Sequence, residues 1–355
     1  MSTSRTRHPV IEEDLGFISA ADLPWGRFEG RTVLVSGASG FLPAYMVETL
    51  LYLNEGCHRH APTTVVGLVR NEAKARRRFA AYDGRPDLRI LVQDVCEETR
   101  WDGAVDFIVH AASAASPKYF GSDPVGTLSA NVLGTRHLLE LARARRSSGF
   151  LFVSSGEVYG RVDPEKMPLR EDTFGCVDPL DVRSCYGESK RMGENMCVCW
   201  GHQHGVPAVI ARPFHTYGPG MSLDDGRVYA DFVADVVRRR PIVLHSDGLA
   251  LRPFCYITDV ILGFFTLLLR GAVGHAYNLG NEHAEISIRD LAHLLSGLMP
   301  GDRLEVIHAA GTPAPGYLPS RLSRNLPDTT RARELGWSPK VGLEEGFRRT
   351  IRSFS

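Results

Sequence analysis

A phenol and an ammonium group stand four residues apart in the sequence, at Tyr186 and Lys190. On a helix this spacing puts both side chains on one face. A phenol with a pKa of about 10 is a poor base at neutral pH, but a nearby cation favours the phenolate. Such a phenolate can take the proton from an alcohol while a hydroxyl such as Ser155 hydrogen-bonds the same oxygen. The pair predicts general-base chemistry; the alternative is an aromatic residue on a helix surface.

A second pattern is the turn Gly37-Ala38-Ser39-Gly40-Phe41-Leu42-Pro43, which follows the apolar run Thr32–Val35. The first glycine permits a tight turn, and the second lets the backbone approach a pyrophosphate at the N-terminus of the next helix. This context predicts a dinucleotide site, against the alternative of a plain strand–helix turn. Pro43 replaces the usual third glycine, and a first helical turn accepts proline because that N–H lacks an intrahelical partner.

The ends of the next two strands carry charged residues that bear on cofactor choice. An acid at the end of the second strand would bind the adenosine ribose of NAD, whereas Arg70 suits the 2′-phosphate of NADP. The Asp94-Val95 pair follows the third strand and could receive the adenine amino group. Arg70 pointing to solvent and Asp94 as a turn carboxylate remain alternatives, and both NAD and NADP stay open here.

The elements that must position these residues alternate between short apolar runs and helical segments. This order predicts an α/β fold with a doubly wound parallel sheet of the Rossmann type. The predicted strands are residues 32–35, 64–69, 88–92, 107–109, 150–153 and 206–210. The predicted helices of this half are residues 42–53 and 127–145.

The second half is denser in Pro and Gly, as in the stretch 212–220, with helical segments at 228–239, 259–269, 288–298 and 343–353. We interpret it as a smaller α/β substrate-binding cap interleaved with the sheet. The predicted organisation is a leader at 1–30 that packs on the main domain or stays mobile, a mainly dinucleotide-binding domain at 31–211 and a mainly cap region at 212–355.

Composition excludes several classes of function. The 355 residues include 41 basic and 41 acidic side chains, and a general nucleic-acid or membrane-surface binder would need a basic excess. The seven cysteines form no CxxC pair, which favours reduced thiols and no metal site. The longest apolar stretch, Val260–Leu269, is half of the roughly 20 residues that a membrane span needs. A cytoplasmic protein is the expectation.

Local strings along the chain resemble the extended short-chain dehydrogenase/reductase family that acts on nucleotide sugars, and most of all its UDP-glucuronate decarboxylases. The resemblance runs from about Arg31 to Phe354. The matching strings are His110-Ala111-Ala112-Ser113, Ser116-Pro117-Lys118-Tyr119, residues 154–160, Arg183-Ser184-Cys185-Tyr186 with Lys190-Arg191, the cap segments 225–228, 252–256 and 277–281, and Pro327-Asp328 with residues 336–339.

The resemblance implies a role for each matching residue. Tyr186 would be the base, Lys190 would hold Tyr186 and the nicotinamide ribose, Ser155 would bind the reacting oxygen, and Glu157 stands where decarboxylases and dehydratases carry a functional Glu. The implied cofactor contacts are Gly37, Ser39, Gly40, Phe41, Leu42, Arg70, Asp94, Val95, Ala111, Ala112, Ser113, Tyr186, Lys190 and Pro213. The implied substrate contacts are Tyr119, Ser155, Gly156, Glu157, His215, Arg227, Val228, Arg252 and Arg324, since Arg suits phosphate.

Three positions depart from the family pattern. Gly156 stands where 4,6-dehydratases have an acidic Asp and where decarboxylases often have Ser. Gly220 stands where decarboxylases usually have Arg, and His215 where they usually have Asn. The substrate pocket is therefore expected to differ from that of other decarboxylases, with His215 either a substrate contact or a satisfied hydrogen-bonding residue.

The resemblance implies an enzyme that keeps NAD or NADP bound and begins by oxidising C4 of a nucleotide sugar, with a UDP-sugar favoured. Decarboxylation follows if C6 is a carboxylate, and 4-epimerisation is the alternative. A dehydratase, a net reductase and a non-catalytic dinucleotide-binding regulator are further alternatives. The family also implies a homodimer formed by the Tyr186 helix and its neighbour.

Overall fold

The computed structural model describes residues 6–299, 301, 303–309 and 323–355. Residues 1–5 of the expected leader lie outside this part of the chain. The described strands, in chain order, are β1 (Thr32–Ser36), β2 (Thr64–Val69), β3 (Leu88–Val92), β4 (Phe107–His110), β5 (Gly149–Val153), β6 (Ala208–Pro213), β7 (Thr216–Tyr217), β8 (Ile242–Leu244), β9 (Leu251–Pro253), β10 (Cys255–Tyr256), β11 (Ala276–Leu279), β12 (Glu285–Ser287) and β13 (Val306–His308).

The described α-helices, also in chain order, are α1 (Pro9–Ser19), α2 (Phe41–Glu55), α3 (Glu72–Arg78), α4 (Pro117–Ser122), α5 (Pro124–Arg145), α6 (Ser184–His204), α7 (Val228–Val237), α8 (Ile257–Arg270), α9 (Ile288–Ser296), α10 (Thr330–Glu334) and α11 (Leu343–Arg352). Short 3₁₀ helices cover Trp25–Phe28, Ala80–Tyr82, Gly156–Tyr159 and Pro164–Lys166.

Seven of these strands form one parallel sheet in the order β11-β6-β5-β4-β1-β2-β3. The predicted doubly wound fold is confirmed, because helices cover both faces of the sheet. Along β1, Val33 and Val35 pack in the core beneath α2 and α8, while Leu34 packs in the core beneath α5 and α6. A strand buried on both faces needs the continuous apolar run that its sequence shows.

One sheet strand lies where the sequence predicts cap. The segment 277–281 matches a family string that we interpreted as part of the cap, but Ala276–Leu279 pairs in parallel with Ile210–Pro213 and forms the sheet edge. Four residues are too few for a sequence pattern to distinguish a strand of the main sheet from a strand of the cap. The remaining cap elements include α7, α9 and three two-stranded sheets, β10-β7, β12-β9 and β13-β8.

Residues 9–28 pack on the main body of the protein. The helix α1 lies against α2 and α8, and Trp25 stacks edge-on with Phe265 at a centroid distance of 5.1 Å. Among the described residues, no helix combines the length and the apolar character needed to cross a membrane. The boundaries of leader, dinucleotide-binding domain and cap stay a prediction.

Candidate functional site

The glycine turn lies between β1 and α2, as its sequence predicts. Gly37 has φ +67°, which favours glycine, and a Cβ there would lie 2.8 Å from the Cα of Ala112. The turn is closed by a hydrogen bond from the Gly40 N–H to the Gly37 carbonyl oxygen, 2.7 Å long. Gly40 is the N-cap of α2, so Phe41 and Leu42 carry N–H groups with no intrahelical acceptor. These donors, next to Ser39, form a site for an anion such as a pyrophosphate.

Pro43 does not disturb this helix start. It is the third residue of α2, where an N–H would have no partner within the helix, and its ring is buried. A Cβ on Gly40 would lie 3.2 Å from the Pro43 ring. The substitution for the third glycine is therefore compatible with the turn.

A hydroxyl at the end of β1 joins the turn to the end of β4. The Ser36 Oγ accepts the N–H groups of Ala111 and Ala112, each at 3.1 Å, and lies 2.8 Å from Nδ1 of His110. Because that oxygen accepts two N–H groups, its own proton goes to Nδ1 of a neutral imidazole. Burial, and then the Lys190 ammonium, lower the pKa of His110 to about 3.

Sequence reasoning missed this connection. The signal was a polar residue closing each of two apolar strands, Ser36 and His110. Ser113, three residues further on, has a buried hydroxyl oxygen without a hydrogen-bond partner. Such a group at the sheet edge is available to a ligand.

The charged pair at the ends of β2 and β3 lies at the outer part of the same edge. Arg70 is largely exposed, and its guanidinium lies 3.8 Å from Asp94. The Cys96 N–H donates to Asp94 at 2.9 Å and is the main cause of the lowered pKa of that carboxyl group. Val95, which follows Asp94, is buried in the hydrophobic core that residues of α5 also line.

Tyr186 lies in the first turn of α6 and is 7 % exposed. Its ring stacks on Phe120 of α4, with centroids 4.9 Å apart and an interplanar angle of 18°. Burial raises the pKa of Tyr186, whereas a side-chain hydrogen bond with Ser155 and the charge of Arg227 lower it. The phenol is therefore held in place beside a hydroxyl and a cation, as a general base of this kind requires.

Lys190 follows one turn later and is 2 % exposed. Its Nζ donates to the Val153 carbonyl oxygen at 2.7 Å and lies 5.8 Å from the centroid of the Tyr186 ring. Burial lowers the pKa of Lys190 to about 7, and Glu194 opposes that effect. A buried ammonium so close to the phenol favours the phenolate when both share the site.

A third side chain of α6 completes this attachment to the end of β5. At successive helix turns, Tyr186 meets Ser155, Lys190 meets Val153, and Glu194 accepts a 2.6 Å hydrogen bond from Ser154. The Glu194 signal in the sequence was its position four residues after Lys190. The helix face is thus joined to the strand end at three levels.

Glu194 is in turn held by β6. Arg212 donates to both of its carboxylate oxygens, at 2.9 and 2.6 Å, and also to the Tyr159 hydroxyl at 2.9 Å. A bidentate guanidinium–carboxylate pair fixes orientation as well as distance. The attachment of α6 is therefore rigid on the side away from the glycine turn.

Glu157 is paired with a cation that sequence reasoning did not assign to it. Arg183, directly before α6, donates to Glu157 Oε2 at 3.0 Å, and its guanidinium lies 5.8 Å from the centroid of the Phe120 ring. Both side chains are partly buried. The carboxylate is therefore oriented beside Tyr186 rather than pointing freely into a pocket.

The structure gives a physical reason for glycine at position 156. A Cβ there would lie 2.9 Å from Cε1 of Phe214, a ring that is buried against Tyr159. The space that an Asp or Ser side chain would need is filled by this ring. An acid for water loss is therefore excluded at this position unless Phe214 moves.

We expect Gly156→Ala to lower the free energy of unfolding by about 1–3 kcal/mol, because the new methyl group overpacks a buried ring. Chemical denaturation followed by fluorescence measures this change. The matched control is Gly342→Ala, where a Cβ meets no atom within 4 Å. An unchanged unfolding free energy for Gly156→Ala would show that Phe214 yields easily.

His215 lies near two of the predicted phosphate-binding arginines. Burial, and then the charges of Arg252 and Arg227, hold the pKa of His215 well below its usual range. Arg227 also lies close enough to Tyr186 to affect its pKa, and it donates to the Ala115 carbonyl oxygen at 2.9 Å. The structure therefore brings Arg227 near both Tyr186 and His215, and Arg252 near His215. Pro213 ends β6, and Val228 begins α7.

Two predicted substrate contacts are less directly placed. Arg324 forms two 2.8 Å hydrogen bonds with Glu285, so its charge is already paired. Tyr119 is 41 % exposed, with the Lys118 ammonium 5.4 Å from its ring centroid. Next to Arg324, the Ser323 carbonyl oxygen accepts from Arg252 at 3.2 Å, which joins this segment to the arginine pair.

These features can be set beside known proteins. A model of the NAD dependent epimerase/dehydratase family matches residues 33–280. The chain belongs to this family. The resemblance inferred from the motifs is confirmed, and an extended short-chain dehydrogenase/reductase is the enzyme type it implies.

Relatives of this family member include UDP-glucuronic acid decarboxylase 6 of Arabidopsis thaliana, 35 % identical over 89 % of this chain and 86 % of that protein. UDP-glucuronic acid decarboxylase 1 of Danio rerio is 33 % identical over 92 % of this chain and 73 % of that protein. The structure of a UDP-glucuronic acid 4-epimerase from Bacillus cereus has a TM-score of 0.75 at 22 % identity and covers 91 % of this chain and 98 % of that one, which shows a shared fold.

Proposed function

We propose that this protein is a nucleotide-sugar decarboxylase of the UDP-glucuronate type, which oxidises sugar C4 with a retained NAD. The observation that carries the proposal is the buried Tyr186, held beside Ser155 and Lys190 at the sheet edge that also holds the glycine turn. Identity of 33–35 % with UDP-glucuronic acid decarboxylases over about nine-tenths of the chain supports this substrate class.

The residues at the sheet edge fit NAD. The Phe41 and Leu42 N–H groups at the start of α2 suit the pyrophosphate, and the unpartnered Ser113 hydroxyl at the end of β4 suits a polar group of the ligand. NAD held by these residues would supply the acceptor for hydride from the sugar and the donor for its return. Lys190 would hold the nicotinamide ribose.

We favour NAD over NADP because of what stands beside Arg70. The Asp94 carboxylate, 3.8 Å from that guanidinium, already offsets part of its charge and would repel a 2′-phosphate. Solved neighbours of the same fold contain NAD, which supports this choice. Asp94 then faces the adenosine end of the cofactor.

In the first step, Tyr186 takes the proton from the C4 hydroxyl of the sugar. Ser155 hydrogen-bonds the same oxygen and aligns it, and the Lys190 ammonium offsets the charge of the phenolate. Burial raises the pKa of Tyr186 and so disfavours the phenolate that accepts the proton. The Ser155 hydrogen bond and the Arg227 charge act in the opposite direction, and the Lys190 ammonium, 5.8 Å from the ring centroid, adds to them.

In the second step, the substrate carboxylate leaves as carbon dioxide. A ketone at C4 makes the C6 carboxylate a β-keto acid, so the electron pair of the breaking C5–C6 bond moves into the carbonyl group and onto O4. The hydroxyl groups of Ser155 and Tyr186 donate to that oxygen while it carries the charge. Protonation at C5 and reduction at C4 then give a pentose.

The arginines near the phenol and His215 supply the substrate-holding residues. Arg227 and Arg252 suit the two phosphates of the nucleotide, and the neutral His215 near them can donate or accept a hydrogen bond. Arg324 and Tyr119 would contact the substrate at the outer side of this pocket. The charge of Arg324 is already shared with Glu285.

A 4-epimerase is the second candidate, and the Glu157–Arg183 ion pair favours it. Epimerisation needs no carboxylate at position 157, and here that group is tied to a guanidinium at 3.0 Å. In an epimerase, the 4-keto sugar rotates within the pocket and then accepts hydride on its opposite face. Both reactions share the Tyr186 step.

Incubation of the purified holoenzyme with UDP-glucuronate tests the proposal. We expect UDP-xylose and one released carbon dioxide for each molecule converted, measured by mass spectrometry and a carbon dioxide assay. UDP-galacturonate without carbon dioxide would show the epimerase instead. The absence of both products would overturn the proposal for this substrate.

We also propose a homodimer built on α5 and α6 and a cytoplasmic location. The two helices expose the apolar side chains of Val125, Leu128, Leu133, Met192 and Val198, which a second copy would cover. Exposed unpaired thiols at Cys57, Cys176 and Cys199 suit a reducing compartment. Sedimentation velocity measures the oligomeric state, and a monomer would contradict the first part.

A further inference from the structure

The N-terminal helix α1 places a buried carboxylate where four elements meet. Asp14 is 1 % exposed. Its Oδ2 accepts from the Tyr45 hydroxyl of α2 at 3.0 Å and from the Tyr256 hydroxyl of β10 at 2.9 Å, and its Oδ1 accepts from Arg349 of α11 at 2.7 Å. Burial raises the pKa of Asp14 and the three donors oppose that effect, so removing one contact leaves a buried carboxylate with less compensation.

From Tyr256 the contacts lead to the predicted sugar-nucleotide pocket. Strand β10 pairs with β7, so that Tyr256 stands opposite Tyr217, and the Cys255 N–H donates to the His215 carbonyl oxygen at 2.8 Å. The strand that precedes β10 carries Arg252. The carboxylate therefore fixes the short strand pair β7-β10, which His215 directly precedes and which Arg252, in β9, adjoins along the chain.

The contact with α11 supports the same strand pair from behind. The ring of Phe347 stacks on Tyr217 with centroids 3.9 Å apart and an angle of 13°, and Arg349 lies two residues further along that helix. The hydrogen bonds of Asp14 and its three partners run to α1, α2, β10 and α11, and thus away from α6 with Tyr186 and Lys190.

We propose that Asp14 is a positioning residue for the nucleotide-diphosphate end of the substrate. Through Tyr256 and Arg349, it sets the position of the strand pair β7-β10, and with it the adjoining His215 and Arg252, relative to α2 and the cofactor site. The segment before residue 31 is then part of the support of the binding pocket. The class of ligand named here rests on the proposed function.

The test compares Asp14→Asn with Glu13→Gln in the holoenzyme, using UDP as the ligand in calorimetry. Glu13 pairs with the same Arg349 at 2.9 Å but is half exposed, so it is the matched control. A tenfold weaker UDP affinity corresponds to about 1.4 kcal/mol, which is within what a buried charge-assisted contact contributes. We expect that weakening for Asp14→Asn, a matching rise in the sugar-nucleotide KM, and unchanged kcat and NAD content. Glu13→Gln should bind UDP like the wild type.

Tyr256→Phe is the second variant and keeps the ring while removing the hydroxyl that donates to Asp14. It should reproduce the change in KM, and it keeps the test decisive if Asp14→Asn does not fold. Wild-type UDP affinity and KM in a folded variant, even with a lowered melting temperature, would overturn the positioning role. Failure of the wild type itself to bind UDP would instead overturn the proposed function.

Discussion

Tyr186→Phe is expected to lower turnover by about 10³-fold, while the protein keeps its NAD, because a positioned general base contributes roughly 10²–10⁴-fold. The substitution removes one oxygen and leaves the ring stacked on Phe120 at 4.9 Å. The fold and the apolar contacts of α6 are therefore preserved. Steady-state turnover of UDP-glucuronate and the nicotinamide content of the purified protein measure the two effects.

The matched control for this variant is Tyr52→Phe. Tyr52 lies on α2, outside the proposed site, and the Arg7 guanidinium is 5.4 Å from its ring centroid. It should turn over like the wild type. Retention of a tenth or more of wild-type turnover by Tyr186→Phe would rule out the phenol as the base.

Lys190→Met is expected to reduce turnover by about 10²–10⁴-fold, since it removes a buried cation, 5.8 Å from the centroid of the Tyr186 ring, that favours the phenolate. Methionine keeps an apolar stem where the lysine lies 5.0 Å from the centroid of the Phe152 ring. Without the ammonium, the pKa of Tyr186 rises, so the acidic limb of the kcat profile should move to higher pH. Lys166→Met, at an exposed position, is the control.

The pH dependence of stability gives an independent check on Lys190. Because burial lowers its pKa from 10.5 to about 7, the unfolded chain binds more protons than the folded one between these values. Stability of the cofactor-free protein should therefore rise with pH across this window through this group. Urea denaturation at several pH values should show a smaller rise for Lys190→Met, and an equal rise would contradict the low pKa.

The sequence predicted the sheet well because the strands β1, β2, β4 and β5 are buried apolar runs, and the edge strand β3 keeps an apolar pattern although it is only partly buried. Runs such as Thr64–Val69 and Leu88–Val92 have the same bounds in the structure as in the sequence pattern. The edge strand Ala276–Leu279 was assigned to the cap, since four residues carry no periodicity and its neighbour β6 lies far away in sequence. The topology of the sheet, and not the local sequence pattern, therefore determines where this strand lies.

Backbone motifs in the sequence were enough to predict part of the site. Tyr186 and Lys190 were predicted from helical spacing, and the glycine turn from its position between strand and helix. The partners of the charged groups could not be read in the same way, because Arg183 with Glu157 and Arg212 with Glu194 meet through tertiary contacts. The Phe214 ring over Gly156 is a packing fact of the same kind.

The measurement that tests the central claim most directly follows the hydrogen atom on C4 of the substrate. The holoenzyme is given UDP-glucuronate deuterated at C4 in ordinary water, and the sugar product is analysed by mass spectrometry and NMR. Oxidation at C4 by a retained cofactor, with Tyr186 as the base, predicts carbon dioxide release and a UDP-pentose that keeps its deuterium at C4. A product carrying protium at C4, with the label lost to water, would contradict it.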